Sequence, residues 1–524
     1  MVRNRRTKWW MVGLLAAHGV YAGAMIARTS FVIEGKRYFC LYDDAMITLQ
    51  YARNLAEGHG LVWNAGGPHV EGFTSPAWTL LLAGVAWGVE DPVRRCLVVQ
   101  CLGIPIIWLT ALGALRLARA SRMPDVVGLM AALWVLVYYN LNNLTLLGME
   151  TGLAAAVMTF GLAAVMRAIT RRTGTVWSTA WIGPMVLVRP EALVFGLFAG
   201  AVEVLGVRRR RWQPVLGAAL GLLLVAGYVG WRWSYYGALV PNTYVLKLTG
   251  WPWWDRLRVA LHDLPVTVVS LGPLVLLALA GVRGIRQPRF ALLLLLPLLA
   301  IAYQIYVGGD HLPRDRFVVP FVPALAVMGA YGLTRLARLV VQAGWLTRRT
   351  WPIRVGAAAI VVAFNAVSLP HALLLVPPQS VEQGNSANVA HAIIINRYTD
   401  PDTTVAVGFA GTVPYFTGRT CVDLLGKCDP HIAHLPARLG IRAGHNKYDF
   451  AWSLNHYKPD LISAGGPKYY DDPVIRAHYR VRRYPLDGGD VFLLVRDGSR
   501  VRGGKTYSWA EIDRRAVYPQ GQSW

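Results

Sequence analysis

"WWMVGLLAAHGVYAGAMIA" (9–27) decides the fold class. It contains no Asp, Glu, Lys or Arg and is long enough for a helix to cross the hydrocarbon core, which takes about 20 residues. It follows the basic "MVRNRRTK" and exceeds a typical signal-peptide core. No small-x-small cleavage site precedes the acidic stretch beyond it, so it reads as a retained signal anchor. Similar apolar segments recur at about 76–118, 125–139, 151–167, 175–189, 192–206, 213–231, 262–283, 288–307, 317–341 and 352–376. Over 524 residues the hydrophobic share is 54% and the charged share 16%, with a mean hydropathy of +0.37. These values exclude an ordinary soluble protein and predict an α-helical polytopic membrane protein. Hydropathy falls from about residue 378, leaving room for one soluble domain over 378–524, so the expected division is 1–377 and 378–524.

The net charge of +24 does not point to nucleic acid, because Lys and Arg cluster between apolar segments, the pattern of topology signals and anionic-lipid contacts. The basic loops are 116–122, 167–172, 207–212, 282–289 and 335–354. Placing all five in the cytoplasm gives about eleven net crossings, provided 76–118 crosses once with 76–89 re-entrant or at the surface. The N-terminus is then inside and the C-terminal domain outside. The remaining loops, 28–75, 140–151, 189–191, 231–247 and 308–316, are all external and carry acids, Asn, Tyr and single cations. Among the five cysteines, Cys421 and Cys428 flank "CVDLLGKC" and suit either a disulfide or two free thiols.

Two adjacent acids, Asp43 and Asp44, open "DDAMITLQYARNLAEGHG" (43–60). Met46, Leu49, Ala52 and Leu55 repeat at helical spacing as a narrow stripe suited to a membrane surface. Gly58 and Gly60 end the helix. One acid of the pair suits an N-cap, and the other, Asp44, suits a general base at the membrane interface. In "VEGFTSP" (70–76), Glu71 suits a cap or a sugar hydroxyl and Pro76 a first helical position. Glu150 opens a helix, where a dipole interaction competes with function. In "VRPEA" (188–192), Arg189 requires an anion, either Glu191 or a lipid-linked phosphate. "YYGALVPNTYVLK" (235–247) contributes Tyr236, Asn242 and Lys247. Tyr236 also fits an interfacial aromatic belt.

The densest polar run, "VGGDHLPRDRF" (307–317), contains Asp310, His311, Arg314, Asp315 and Arg316. Arginines bind phosphate through paired N–H donors, although internal salt bridges would use the same groups. External acids with separate cations suit transfer of a sugar from a membrane-anchored phosphate carrier. Arg189, Lys247, Arg314, Arg316 and His311 would meet the phosphate. No nucleotide-binding glycine motif supports a soluble nucleotide-sugar donor. A lipid-linked sugar transporter is the competing class, but transporters carry their ionisable residues at mid-membrane, and here these residues cluster at segment ends.

The ordered motifs "DDAMITLQYARNLAEGHGLVWN", "VEGFTSPAW", "GMET", "VRPEA", "YYGALVPNTYVLK", "GGDHLPRDRFVVP", "GTVPYFTGRTCVDLLGKCDPHIAH" and "GHNKYDF" resemble the terminal arabinofuranosyltransferases of mycobacterial-type cell walls. The resemblance covers about residues 40–460. It implies a GT-C helical bundle, a catalytic carboxylate at Asp43–Asp44 and decaprenyl-phosphate arabinofuranose as donor. It further implies an acceptor at the ends of an arabinan, such as arabinogalactan or lipoarabinomannan, and an extracytoplasmic C-terminal domain that helps hold it. Phe73 departs from the family's commoner Tyr, and the run after "GGD" carries added charge. Transfer of another sugar, to protein or glycan, is the alternative within the same chemistry. "TTVAVGFAGTVPYFTG" (403–418) reads as a buried strand leading into a glycine turn, "CVDLLGKCDPHIAH" as a strand then a polar loop, and "KPDLIS" and "DVFLLVR" as further strands, making the C-terminal domain α/β. Asp423, Asp429, His431 and His434 are candidate acceptor contacts. The His-x-x-His pair lacks partners at metal-site spacing, so no cofactor is implied and a divalent metal is not indicated.

Overall fold

The computed structural model describes residues 5–282, 288–309, 315–342, 351–378, 384–465 and 467–514. Among these, six helices are long and apolar enough to cross a membrane: Arg5–Thr29, Pro92–Ala120, Thr151–Arg171, Trp212–Tyr236, Trp253–Gly281 and Val319–Gln342. A seventh span is obtained if Asp125–Val137 and Tyr139–Leu146, bent by 54°, count as one. Shorter apolar helices cover Pro76–Gly88, Trp177–Val188, Ala192–Gly206 and Phe290–Tyr306. The apolar run 76–118 is two helices, interrupted at 89–91.

The chain divides into two compact units. The first comprises Met1–Met25, Cys101–Trp231 and Trp253–Val376. It is helical, and its helices approach closely where side chains are small. A Cβ on Gly161 would lie 2.3 Å from the Trp181 ring, and one on Gly332 would lie 1.8 Å from the Leu277 carbonyl oxygen. Small residues let backbones meet this closely where hydrophobicity alone does not drive helix association. The stretch expected as a polar outer loop, 140–151, is instead largely the buried helix Tyr139–Leu146. One of its asparagines satisfies backbone groups freed by the bend. Asn142 donates to the carbonyls of Leu136 (2.8 Å) and Tyr138 (3.0 Å), and its Oδ1 meets His18 Nε2 at 2.8 Å. A broken helix in an apolar medium needs such replacement partners.

The second unit comprises Ile26–Gln100, Arg232–Pro252 and Pro377–Trp524. A hairpin of β1 (Phe31–Ile33) and β2 (Lys36–Tyr38) precedes the helix Asp43–Ala56. That helix buries Ala45, Met46, Ile47, Thr48, Leu49, Gln50, Tyr51, Ala52 and Asn54, most of its circumference. It is therefore packed into its unit rather than lying on a surface by one stripe. Pro76 takes the first position of Pro76–Gly88, where its missing N–H costs nothing.

The unit's main sheet has β3 (Thr404–Val407), β4 (Thr420–Asp423), β5 (Leu461–Ser463), β6 (Tyr479–Tyr484), β7 (Val491–Arg496) and β8 (Lys505–Tyr507), in the order β4-β3-β5-β7-β6-β8. β3, β4 and β5 are parallel, and the others join antiparallel. Val407 lies level with Asp423 on one side and Ser463 on the other, so the three parallel strands end in line. β3 leads to β4 on one flank, while β5 occupies the other. Loops leaving parallel strands in opposite directions open a crevice at the carboxyl ends, the usual ligand position in such sheets.

Candidate active site

The residues at this carboxyl edge are brought together by backbone turns. After β3 the chain runs through Gly408–Gly411 into the short helix Thr412–Thr417. The first N–H groups of that helix are satisfied by Asp43, whose carboxylate accepts from Gly411 N (3.2 Å) and Thr412 N (2.8 Å). A Cβ on Gly411 would come 2.0 Å from the Asp43 carbonyl oxygen, so only glycine permits the contact. Asp43 is thus committed, but not as the cap of its own helix. Tyr42 occupies that cap position without a side-chain capping hydrogen bond. Burial pushes the Asp43 carboxyl up from its ordinary value, against the Lys427 charge and the Thr412 N–H.

Asp44 points elsewhere. Its Oδ1 accepts from Lys427 Nζ at 2.7 Å, with the Asp44 side chain 31% exposed and that of Lys427 12%. Burial works against the Lys427 ammonium, but the charges of Asp44 and Asp43 outweigh it and hold the group above its usual range. Lys427 was not singled out by the sequence reading. The turn that carries it is rigid. Asp423, at the end of β4, accepts from Leu425 N (2.9 Å) and Cys428 N (2.7 Å). Asn242 Nδ2 donates to the carbonyls of Gly426 (2.9 Å) and Lys427 (3.0 Å). Gly426 has φ +78, and its absent Cβ would strike Ile432 at 2.7 Å.

Several residues expected to contact ligand also make contacts within the fold. Asp423 is 2% exposed, with both oxygens accepting from the turn, and burial raises its carboxyl. Asn242 holds that same turn. Glu71 pairs with Arg232 (2.6 Å), their side chains 2% and 7% exposed. Tyr236 donates its hydroxyl to the Leu61 carbonyl at 3.0 Å. Lys247 is half-buried, with its Cε near Gly444. His431 is exposed and stacks on Trp452, centroids 3.9 Å apart, while Asp429 caps the helix Pro430–His434 and accepts from Tyr457. His434 meets the Pro430 carbonyl at 2.7 Å. Cys421 and Cys428 are buried free thiols, not a disulfide. No group of three or more His, Cys, Asp or Glu suited to a metal occurs among the described residues.

In the first unit, Arg189 is 6% exposed and ion-paired to both Glu150 and Glu191 at 2.5 Å. The ring of Phe317 lies 5.1 Å from the Arg189 guanidinium and 5.4 Å from that of Arg316. Glu150 and Glu191 thus complete the charge of Arg189. Asp315, in a left-handed conformation at φ +52, accepts from Thr267 and from Gln304 (3.1 Å). Asp310, His311 and Arg314 lie outside the described residues.

This arrangement of helices and sheet is the GT-C fold of integral membrane glycosyltransferases. The structure of ArnT from Cupriavidus metallidurans aligns with 95% of this chain and 100% of its own at a TM-score of 0.63 and 14% identity. ArnT bound to undecaprenyl phosphate aligns at the same TM-score with 12% identity, over 95% of this chain and 99% of its own. The Archaeoglobus fulgidus oligosaccharyltransferase aligns over 96% of this chain and 74% of its own, at a TM-score of 0.52 and 13% identity. At these identities the likeness concerns the fold.

Within that class, sequence similarity points to arabinofuranosyltransferases. The chain is 28% identical over 349 residues to the terminal β-(1→2)-arabinofuranosyltransferase of Corynebacterium glutamicum, covering 58% of this chain and 49% of that protein. It is 30% identical over 311 residues to the enzyme of the same name from Mycobacterium tuberculosis, covering 55% and 47%. The chain spans about half the length of these curated relatives. Residues 379–509 match a domain of unknown function, DUF8728. The protein is a multi-pass membrane protein of GT-C fold whose sequence is similar to arabinofuranosyltransferases.

Proposed function

We propose that the protein is a glycosyltransferase that moves arabinofuranose from a polyprenyl phosphate, decaprenyl-phosphate arabinofuranose, to the end of a cell-envelope arabinan such as arabinogalactan or lipoarabinomannan. The observation that carries this reading is the Asp44–Lys427 pair at the carboxyl edge of the sheet, beside an Asp43 already committed to backbone N–H groups. One acid is anchored, and its neighbour is ion-paired and partly open to solvent. In the proposed reaction the bond between the anomeric carbon and the phosphate oxygen breaks, and its electron pair leaves with the phosphate. A bond from the acceptor oxygen to the anomeric carbon forms, and the acceptor's proton passes to the Asp44 carboxylate. The same carboxylate offsets positive charge developing on the sugar ring.

Lys427 orients Asp44 through their ion pair without touching the sugar. Arg189, Arg316 and Lys247 are the proposed phosphate contacts, now with Glu150 and Glu191 balancing Arg189. The site and the sheet domain belong on the extracytoplasmic face of the plasma membrane, where lipid-linked sugar and envelope glycan coexist. The similarity to named arabinofuranosyltransferases supports the choice of sugar. The test is incubation of purified protein with synthetic prenyl-phosphate arabinofuranose and short glycan acceptors. Elongated arabinan is expected. Elongation only from a prenyl-phosphate hexose, or onto protein alone, would overturn the choice of sugar or acceptor.

A further inference from the structure

Two arginine-rich loops of the first unit, 171–174 and 207–211, are separated in sequence by intervening helices but joined in the fold. Arg208 N and Arg209 N both donate to the Arg172 carbonyl, at 3.1 and 3.0 Å, and Gly174 N donates to the Arg209 carbonyl at 3.0 Å. Thr173 lies level with Arg209 in a parallel bridge. The approach needs glycine, because a Cβ on Gly174 would lie 2.7 Å from the Arg210 carbonyl oxygen. Arg172 and Arg210 hold left-handed backbone, at φ +55 and +53, a region that long side chains seldom occupy. A further helix end joins them. Thr170 Oγ1 donates to the Ala120 carbonyl at 3.0 Å, and Arg122 donates to the Thr170 carbonyl at 3.3 Å. The ends of Pro92–Ala120, Thr151–Arg171 and Ala192–Gly206 and the start of Trp212–Tyr236 thus meet at one place.

The cluster is cationic with no built-in counter-charge. Residues 151–190 and 204–254 contain no Asp or Glu. Glu203, the acid nearest the second loop in sequence, is buried and accepts from Ser178 Oγ at 2.6 Å. Cations at helix C-termini also offset the helix dipole, and two arginines are used on carbonyls, Arg122 on Thr170 and Arg211 on Val207. Arg171, Arg172, Arg208, Arg209 and Arg210 are exposed and pair with no carboxylate among the described residues. A topology signal needs only a number of cations, which separate loops would supply equally well. It does not account for the backbone bonds that gather these into one group. Large apolar side chains stand beside them: Trp177, Leu205 and Trp212 are 82%, 83% and 60% exposed. Thr179 Oγ1 donates to the Pro214 carbonyl at 2.6 Å, which pins the helix carrying Trp177 to the helix that Trp212 opens. Arg171 closes one membrane-length helix and Trp212 opens another, which sets the arginines where hydrocarbon gives way to headgroups.

From this juxtaposition we propose that the joined loops form a binding site for the headgroup of an anionic phospholipid. Guanidinium groups meet the phosphodiester through paired N–H donors, and Trp177, Leu205 and Trp212 lie against the glycerol and the upper acyl chains. A zwitterionic lipid brings its own cation, which the arginines repel. Free phosphate offers nothing to the apolar rim. The occupied site would tie the ends of four helices to the bilayer. It stands apart from Asp44 and Lys427 and does not rest on the transferase reading.

The experiment titrates the full chain, in a neutral detergent, with phosphatidylglycerol or phosphatidylcholine and reads retained lipid by native mass spectrometry. Preferential retention of phosphatidylglycerol is expected. Arg209→Gln should weaken it about fivefold and the Arg209→Gln, Arg210→Gln double variant about 25-fold, the usual scale for cations beside an anionic membrane surface. The Arg209→Lys, Arg210→Lys variant keeps the charge and should lose far less, which separates loss of the site from loss of folding. Arg500→Gln, an exposed cation of the second unit, leaves retention unchanged. Equal retention of the two lipids by the wild type would overturn the proposal. So would unchanged phosphatidylglycerol retention in the double glutamine variant, or displacement of the lipid by inorganic phosphate at equal concentration.

Discussion

Lys427→Met tests the centre of the account, because it removes the ion pair between Lys427 and Asp44 while keeping the bulk of the side chain. At 2.7 Å the gross Coulomb attraction is roughly 1.5 kcal/mol with the dielectric of water and roughly 6 kcal/mol with that of a protein surface. The 31% exposure of Asp44 places the pair between these limits, and desolvation of the lysine, only 12% exposed, cancels part of the gain. Breaking a fully buried pair costs about 3–5 kcal/mol; discounted for this exposure, the single variant should lose about 2 kcal/mol. Most of that loss reflects an acid left without its cation, so Asp44→Asn in the same background should recover part of it. The assay is a double-mutant cycle of unfolding free energy in mixed micelles, alongside transfer rates. A coupling of about 1–2 kcal/mol between positions 44 and 427 is expected, with transfer reduced in Lys427→Met although Asp44 is intact. Additivity within about 0.5 kcal/mol would refute the pairing as an energetic unit.

Gly411→Ala places a Cβ 2.0 Å from the Asp43 carbonyl oxygen, so the helix start must shift; stability should fall by about 2 kcal/mol or more, and a neutral result in thermal unfolding would contradict the packing. Arg189→Ala strands Glu150 and Glu191 in a buried setting and should cost about 3–5 kcal/mol, with Arg189→Lys only partly recovering it because an ammonium lacks the planar fork that reaches both acids. Denaturant unfolding of the two variants checks that order. His391 is held down from 6.5 to about 4, so the unfolded chain binds a proton across that window and the folded chain does not. Stability should therefore decline as pH falls from about 6.5 to about 4, by up to about 3 kcal/mol, and His391→Gln should flatten that part of the profile.

Much of the fold was legible because it rests on local pattern. Apolar runs gave the membrane helices, and "TTVAV", "LIS" and "DVFLLVR" gave strands in the C-terminal region. "YRVRRY" was missed because Arg480, Arg482 and Arg483 disguise a strand whose Tyr479, Val481 and Tyr484 are buried. The helix Tyr139–Leu146 was read as a loop because its asparagines look solvated, whereas Asn142 bonds backbone at a bend. The site was legible in its acids and not in their partners. Lys427 lies 383 residues from Asp44, and Arg232 lies 161 from Glu71. A lone lysine in a Gly-Lys-Cys turn carries no periodicity or spacing that would bring it forward. The signal available was chemical: a single cation in a tight turn after a strand, in a motif otherwise acidic and apolar.

The most direct measurement is single-turnover transfer from prenyl-phosphate arabinofuranose to a short arabinan by wild type and Asp44→Asn, each first confirmed to be folded and to bind donor. The account predicts product from the wild type and a rate lower by about 100-fold or more in the variant, the usual scale for loss of a general base. Equal rates from the two proteins would contradict it.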